Sequence, residues 1–212
     1  MPFDRFVLRI HGDDVVFVDS GPRDALAVLL VHGNPTWSFL WRKVIRAIDD
    51  RYRVIAPDLV GFGASDKPLR ASDHQIVMHV EHIEEPVKKL GVRRFVAVGQ
   101  DMGGPVAAGA ASRLADRVAG LVFGNTAVLP PARPFRPKAF HRFSRVPLVS
   151  DLVFRGAIFP VPLMRFTQGD RSSIGLYETA AYAWPFLDPR HRAGPLGLAR
   201  MIPNSETHPR PR

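Results

Sequence analysis

Hydrophobic and polar residues follow two recurring patterns along the first 126 positions of the chain. Short apolar runs bounded by polar or glycine-containing turns are typical of β-strands, and continuous runs are typical of strands covered on both faces. Longer segments in which apolar residues recur at helical spacing are typical of α-helices. These patterns predict strands over residues 6–10, 14–18, 27–31, 53–56, 95–98 and 118–123, and helices over residues 37–48, 74–90 and 103–114.

The alternation of strands with helices predicts an α/β fold with a doubly wound, mostly parallel sheet. Such sheets bind ligands at the carboxyl ends of their strands, and this directs attention to the loops that follow the strands. From residue 129 onward, prolines separate short apolar stretches, which predicts helices joined by irregular turns, as in a lid. We therefore expect a core over residues 1–127, a helical lid over residues 128–205 and a polar tail over residues 206–212.

The distribution of charge supports a boundary near residue 127. Residues 1–126 contain 16 basic and 15 acidic side chains, residues 127–212 contain 13 and 5, and the whole chain has a net charge of +9. A basic half can indicate a nucleic-acid or anionic-membrane surface. The arginines here are dispersed and lack interleaved aromatic residues, so a solvated surface is favoured over a nucleic-acid-binding one.

Composition excludes several kinds of chemistry. The chain has no cysteine, which excludes disulfides, thiolate zinc sites and a cysteine nucleophile. Histidine and aspartate are not clustered at the spacing of metal ligands, and we expect neither a metal nor a cofactor. No stretch reaches the ~18 apolar residues of a membrane span, and the first residues lack the order of a signal peptide. We expect a soluble, cytoplasmic protein without a membrane partner.

Residues 99–104, with the sequence Gly-Gln-Asp-Met-Gly-Gly, carry the most chemical information. A predicted strand ends at Gly99, and a predicted helix of small residues begins after Asp101. Glycines two positions before and after a central residue are typical of a sharp strand-to-helix elbow that holds its central side chain in a strained conformation. A carboxylate there can attack a saturated carbon, and water can then hydrolyse the resulting ester. Simple capping of the helix by Asp101 is the alternative role.

A second informative loop, residues 32–37 (His-Gly-Asn-Pro-Thr-Trp), follows the predicted strand 27–31. In a doubly wound sheet this loop neighbours the elbow. The N–H groups of Asn34 and the backbone N–H of Met102 are therefore expected to converge above Asp101, as donors of an oxyanion hole do. Turn formation by Asn34 and core packing by Trp37 are the alternative roles.

Residues 32–42, 56–68 and 99–104 together resemble the α/β-hydrolase fold, and within it the haloalkane dehalogenases. A weaker likeness includes lid residues 181–186 and 202–203, and the resemblance spans about residues 5–205. It implies a hydrolase in which Asp101 is the nucleophile and Asn34 donates to the halide leaving group. It also implies a small-molecule substrate, a haloalkane or an epoxide, in contact with Pro35, Trp37 and Trp184.

Two features depart from this pattern or leave it ambiguous. Dehalogenases usually have a second halide donor, an indole directly after the nucleophile, whereas this chain has Met102 there. The indole of Trp184 is a candidate substitute, although core packing is the expected role for such a residue. Tyr177 and Tyr182 are candidates for the tyrosine acids of epoxide hydrolases, but their spacing of five favours lid packing.

The resemblance further implies a histidine base after the last strand of the sheet and an acid that orients it, and neither is expected in this sequence. The histidines that we considered as substitutes are expected to be exposed or locally bonded. They are His32 in the first loop, His74, His79 and His82 on a helix, His141 and His191 in the lid, and His208 in the tail.

We therefore expect a shortened or frame-shifted relative of the dehalogenases with impaired turnover. The strand over residues 118–123 is then an exposed apolar edge, which favours self-association. An epoxide hydrolase and a non-catalytic remnant or binding protein remain as alternatives.

Overall fold

A computed structural model describes residues 3–128, 139–170 and 172–202. Its six strands are β1 (Arg5–Ile10), β2 (Asp13–Ser20), β3 (Ala27–Val31), β4 (Arg53–Pro57), β5 (Phe95–Gln100) and β6 (Val118–Gly124). They form one sheet in the spatial order β1-β2-β4-β3-β5-β6. Strand β2 pairs antiparallel with β1 and β4, and the remaining pairs are parallel, so the prediction of a mostly parallel sheet is confirmed.

Helices cover both faces of this sheet. On one face, Ile45 of helix α1 (Arg42–Ile48) packs with Val28 and Leu30 of β3. On the other face, helices α2 (Ile76–Lys89) and α3 (Gly103–Arg113) pack with the remaining residues of β3. Successive side chains of a strand point to opposite faces, so a strand covered on both sides is apolar throughout. All five residues of β3 are accordingly buried.

The predicted strands agree with the observed ones to within two residues at each end, and the helices differ more. Helix α2 begins at Ile76 rather than at residue 74, because a 3-10 turn precedes it and Gln75 is extended, with φ at −133°. The helix then continues through Pro86 to Lys89. The first predicted helix is divided into a 3-10 turn, Ser38–Trp41, and the α-helix that begins at Arg42.

The described part of the segment predicted as a lid, and called the lid below, consists of short helices separated by turns, as its prolines predict. These helices are α4 (Ala139–Phe143), α5 (Val149–Asp151), α6 (Met164–Thr167), α7 (Leu176–Ala183) and α8 (Ala193–Met201). Helix α8 lies directly on the core, since a Cβ added at Gly194 or Gly197 would touch the backbone at Gly61 or the ring of His74. Residues 129–138 and 203–205 of the predicted lid, and the whole predicted tail, lie outside the described residues.

Strand β6 is the last strand of the described sheet and pairs on one side only, with β5. It contains no charged residue, and Leu121 and Val122 are 50% and 54% exposed. The prediction of an apolar edge at this strand is therefore confirmed for the described part of the chain.

Candidate active site

Asp101 lies at a sharp turn between the end of β5 and the start of α3. Its φ angle is +51°, in the left-handed region that a non-glycine residue adopts at a cost of about 1–3 kcal/mol. The predicted strained elbow is therefore present. Strain of this kind persists only where the surrounding structure enforces it, and the contacts of the flanking glycines show how it does so.

The glycines around Asp101 are required by close approach of backbone to backbone. A Cβ at Gly99 would lie 2.6 Å from Cα of Gly104, and one at Gly103 would overlap the carbonyl oxygens at the end of β3. A Cβ at Gly104 would overlap the side chain of Thr126. Larger residues at these positions would push the elbow away from the strand ends that hold it.

The first loop meets Asp101 from the β3 side. The backbone N–H of Asn34 donates to Oδ1 of Asp101 at 2.9 Å. A Cβ at Gly33 would lie 2.5 Å from Cβ of Asp101, so only glycine allows this approach. This hydrogen bond places Asn34 next to Asp101, as the sequence predicts.

The side chain of Asn34 is directed toward the lid. Its Nδ2 donates to the carbonyl oxygen of Pro195 in α8 at 2.8 Å, and its buried Oδ1 has no partner among the described residues. A carboxamide nitrogen carries two donor hydrogens. The bond to Pro195 uses one of them, and no described residue accepts a hydrogen bond from the other.

The loop after β6 holds the elbow from the opposite side, and the sequence reasoning missed it. The N–H of Asp101 donates to the carbonyl oxygen of Asn125 at 3.3 Å. The hydroxyl of Thr126 donates to the carbonyl oxygen of Asp101 at 2.5 Å. The loop was not predicted to contribute to the site, although its place beside β5 was a signal that its polar residues reach the elbow.

His32 and Asp58 fix the loops that surround the site. Nε2 of His32 accepts the N–H of Leu59 at 2.9 Å, so that nitrogen carries no proton, and burial lowers the pKa of the ring. The buried Asp58 carboxylate accepts the N–H of Ser38 at 2.8 Å and pairs with Arg5. His32 is therefore a neutral structural residue, in agreement with the expectation that it is locally bonded.

Aromatic residues connect the first loop to the lid. Trp37 is buried, and its indole N–H donates to the carbonyl oxygen of Ala181 in α7 at 3.0 Å. Trp184 lies beside it, with ring centroids 5.6 Å apart, but is 49% exposed, so the expected core role of Trp184 is wrong. Trp184 directly follows the last residue of α7 and begins a 3-10 turn. Pro35 follows Asn34 in the same loop, and Met102 is buried directly after Asp101.

The two lid tyrosines differ in burial. Tyr182 is buried against Phe39, with ring centroids 5.3 Å apart, and burial raises the pKa of its hydroxyl. Tyr177 contacts the same ring edge-on at 6.2 Å but is 72% exposed. Lid packing, the expected role, is confirmed for Tyr182.

His74, His79 and His82 are all buried. Of the two expected states, exposed or locally bonded, they have only the second. The rings of His74 and His79 stack 5.5 Å apart, and Nε2 of His82 lies 3.0 Å from a carboxylate oxygen of Asp13. His74 precedes α2 and touches the lid helix α8, rather than lying on the predicted helix. None of the described histidine side chains forms a hydrogen bond with Asp101.

No group of three or more histidine, aspartate or glutamate side chains among the described residues is arranged to hold a metal ion. Across the same residues, every helix is too short or too polar to cross a bilayer.

Comparison with known proteins identifies the family. The family model described as alpha/beta hydrolase fold matches residues 27–188. The chain belongs to the α/β-hydrolase fold family. This α/β hydrolase is similar to Haloalkane dehalogenase 2 of Mycobacterium tuberculosis, with 43% identity over 157 residues that cover 74% of this chain and 52% of that protein. The haloalkane dehalogenase of Mycobacterium marinum is 34% identical over 209 residues, covering 95% of this chain and 64% of that one.

Solved structures agree with these relatives. Haloalkane dehalogenase DbeA from Bradyrhizobium elkani superposes with a TM-score of 0.80 at 26% identity, covering 97% of this α/β hydrolase and 72% of that chain. The chain is therefore dehalogenase-like in sequence and fold. It spans about half to two thirds of the length of the curated relatives that it matches.

Proposed function

We propose that this α/β hydrolase attacks haloalkanes with the Asp101 carboxylate. One carboxylate oxygen forms a bond to the halogen-bearing carbon while the carbon–halogen bond breaks, which yields an alkyl ester of Asp101 and a halide ion. The observation that carries the proposal is the position of Asp101 at a left-handed elbow, with Oδ1 2.9 Å from the backbone nitrogen of Asn34. A capping aspartate would not need this strained geometry.

Asn34 and Met102 supply the donors for the charge that develops. The free hydrogen on Nδ2 of Asn34 binds the departing halide, and the backbone N–H groups of Asn34 and Met102 stabilise the oxyanion formed when water attacks the ester carbonyl. Loss of one such donor typically costs about 2.7–4 kcal/mol of transition-state stabilisation. With Met102 in place of an indole donor, the exposed Trp184 is the remaining candidate for a second halide donor.

Pro35, Trp37 and Trp184 form the proposed apolar contacts of the substrate. They lie where the first loop meets the lid, and the contact between the two indole rings continues this surface from the core to the lid. Small-molecule sites are typically lined by aromatic and apolar groups with a few polar ones among them. The substrate class that fits is a small haloalkane, with an epoxide as the alternative.

We propose that alkylation by this chain is followed by slow hydrolysis of the ester. Hydrolysis needs a general base within hydrogen-bonding reach of the attacking water. Two of the described histidines are hydrogen-bonded elsewhere: His32 to Leu59 and Gly33, and His74 to His79. The non-catalytic alternative predicts no alkylation at all.

Intact-mass spectrometry after incubation with 1-bromobutane tests these proposals. We expect a single butyl adduct that maps to Asp101 and about one bromide released for each chain, while the Asp101→Asn variant acquires no adduct. Sustained bromide release would overturn the proposal of slow hydrolysis. An adduct with 1,2-epoxybutane but none with the bromide would support the epoxide hydrolase, and no adduct with either would support the non-catalytic remnant.

We also propose that the hydrolase self-associates through β6, with a second copy as its partner. The strand is uncharged and, among the described strands, pairs with β5 alone, and an antiparallel pairing of two β6 strands about a two-fold axis closes into a dimer. It would cover Leu121 and Val122 in both copies.

A further inference from the structure

A cavity of about 680 Å³ lies at the end of the sheet opposite Asp101. It opens between the amino-terminal ends of β3, β4 and β5, and its lining includes Arg23, Asp24, Arg53, Arg93 and Arg94. Arg94 directly precedes β5 and Asp101 directly follows it. At about 3.3 Å per residue the two are roughly 20 Å apart, so this cavity is separate from the candidate active site.

One carboxylate, that of Asp19, holds two of the four arginines that line the cavity, the buried Arg53 and the exposed Arg23. Nε and Nη2 of the buried Arg53 donate to the two oxygens of Asp19 at 3.0 and 2.8 Å, and Nη1 donates to the carbonyl oxygen of Leu90 at 3.3 Å. Arg23 donates to the same carboxylate at 2.5 Å. Asp19 thus balances one of two guanidinium charges, and Arg53 forms a fixed cationic base to the cavity.

The other two arginines form no hydrogen bond or ion pair with a side chain among the described residues. Arg93 and Arg94 are exposed, but their backbone is well anchored. The carbonyl oxygen of Arg94 accepts the N–H of Ala27 at 3.3 Å, and the N–H of Val92 donates to Val87 at 3.1 Å. The turn therefore presents two free guanidinium groups at the mouth of the cavity from a rigid backbone.

Charge and shape together define what this cavity accepts. Four guanidinium groups face only two carboxylates, Asp19 and Asp24, which leaves an excess of two positive charges in a confined space. Guanidinium forks match the oxygens of phosphate groups, often with two hydrogen bonds each. A concave volume of this size is typical of small-molecule sites rather than of extended polymer surfaces.

We propose that the cavity binds a small polyvalent oxyanion of the phosphate or diphosphate ester class. Arg93 and Arg94 bind its charged groups, and the charges of Arg53 and Arg23 add to the attraction. The site does not depend on Asp101 or on the proposed hydrolase chemistry.

Isothermal titration calorimetry of the full chain with pyrophosphate, in phosphate-free buffer of low ionic strength, tests the proposal. We expect saturable binding of one pyrophosphate per chain, with weaker binding of inorganic phosphate. The double variant Arg93→Ala and Arg94→Ala should weaken binding by about tenfold or more, equivalent to at least about 1.4 kcal/mol. Both side chains are exposed, so the variant should fold normally, which a thermal melt checks.

The matched control removes two exposed arginines elsewhere, Arg46→Ala in α1 and Arg165→Ala in α6, and should leave the affinity within about twofold. If both double variants weaken pyrophosphate binding equally, the binding is a general attraction to a basic chain and the proposal is overturned. The absence of saturable binding at millimolar pyrophosphate would also overturn it. Asp101→Asn should bind pyrophosphate normally, so failure of the hydrolase proposal and failure of this one are distinguishable.

Discussion

The hydroxyl of Thr126 donates to the backbone carbonyl oxygen of Asp101 at 2.5 Å, across 25 positions of sequence. The side chain of Thr126 also occupies the space that a Cβ at Gly104 would need. Together with the bond from the N–H of Asp101 to Asn125, this contact ties the elbow to the end of β6. The strained residue is thus held from both neighbouring strands, β3 and β6.

Replacement of Thr126 by valine should slow alkylation of Asp101 by about tenfold and lower the free energy of unfolding by about 1 kcal/mol, because valine keeps the shape but loses one hydrogen bond. The rate of adduct formation with 1-bromobutane, followed by intact mass, measures the first effect. Thr126→Ser retains the hydroxyl and should restore most of the rate. Equal rates for all three proteins would show that Thr126 does not position Asp101.

Replacement of Gly33 by alanine should destabilise the protein by about 1–3 kcal/mol, because the added methyl group would lie 2.5 Å from Cβ of Asp101. Urea unfolding of the two proteins measures this difference. Gly169→Ala is the matched control, since a Cβ there meets nothing within 4 Å. A Gly33→Ala protein as stable as wild type would mean that the first loop moves away from the elbow at little cost.

The free energy of unfolding should decrease as the pH falls from about 6.5 to about 4. Burial lowers the pKa of His74 to about 4, against the attraction of Asp73 and Asp13, and it lowers the pKa of His79 well below 6.5. The unfolded chain therefore binds more protons than the folded one in this interval, and the loss attributable to His74 is roughly 3 kcal/mol.

Urea unfolding at several pH values measures this slope. His74→Gln should flatten it whatever the variant does to overall stability, whereas His191→Gln, at a partly exposed lid position, should leave it unchanged. A slope that His74→Gln does not alter would place the acid sensitivity elsewhere.

Self-association through β6 should depend on its exposed apolar residues. We expect sedimentation velocity to detect dimers as the protein concentration rises, and Leu121→Lys with Val122→Lys to shift the population to monomers, because charges on an edge strand oppose pairing. Leu152, 73% exposed in the lid, provides the control Leu152→Lys, which should still dimerise. Dimers that persist in the β6 variant would locate the interface on another surface.

Strand positions and the elbow could be read from the sequence because both depend on short-range patterns. The apolar run of β3 indicates a strand that is buried on both faces, and the glycines around Asp101 indicate a turn without space for side chains. The start of α2 was less predictable, since the 3-10 turn before it packs His74 against Gly197 in the lid.

By itself, the sequence determined the α/β order of elements and the elbow at Asp101, because local periodicity and turn chemistry encode them. The expected doubly wound topology then placed Asn34 beside that elbow. Only the tertiary structure decided that Thr126 bonds to Asp101, that Asn34 reaches Pro195, and that Trp184 is half exposed. It likewise decided that Arg93 and Arg94 meet Arg53 around one cavity. These contacts join residues far apart in the chain, and their energies depend on how the sheet and the lid pack together, which no local pattern records.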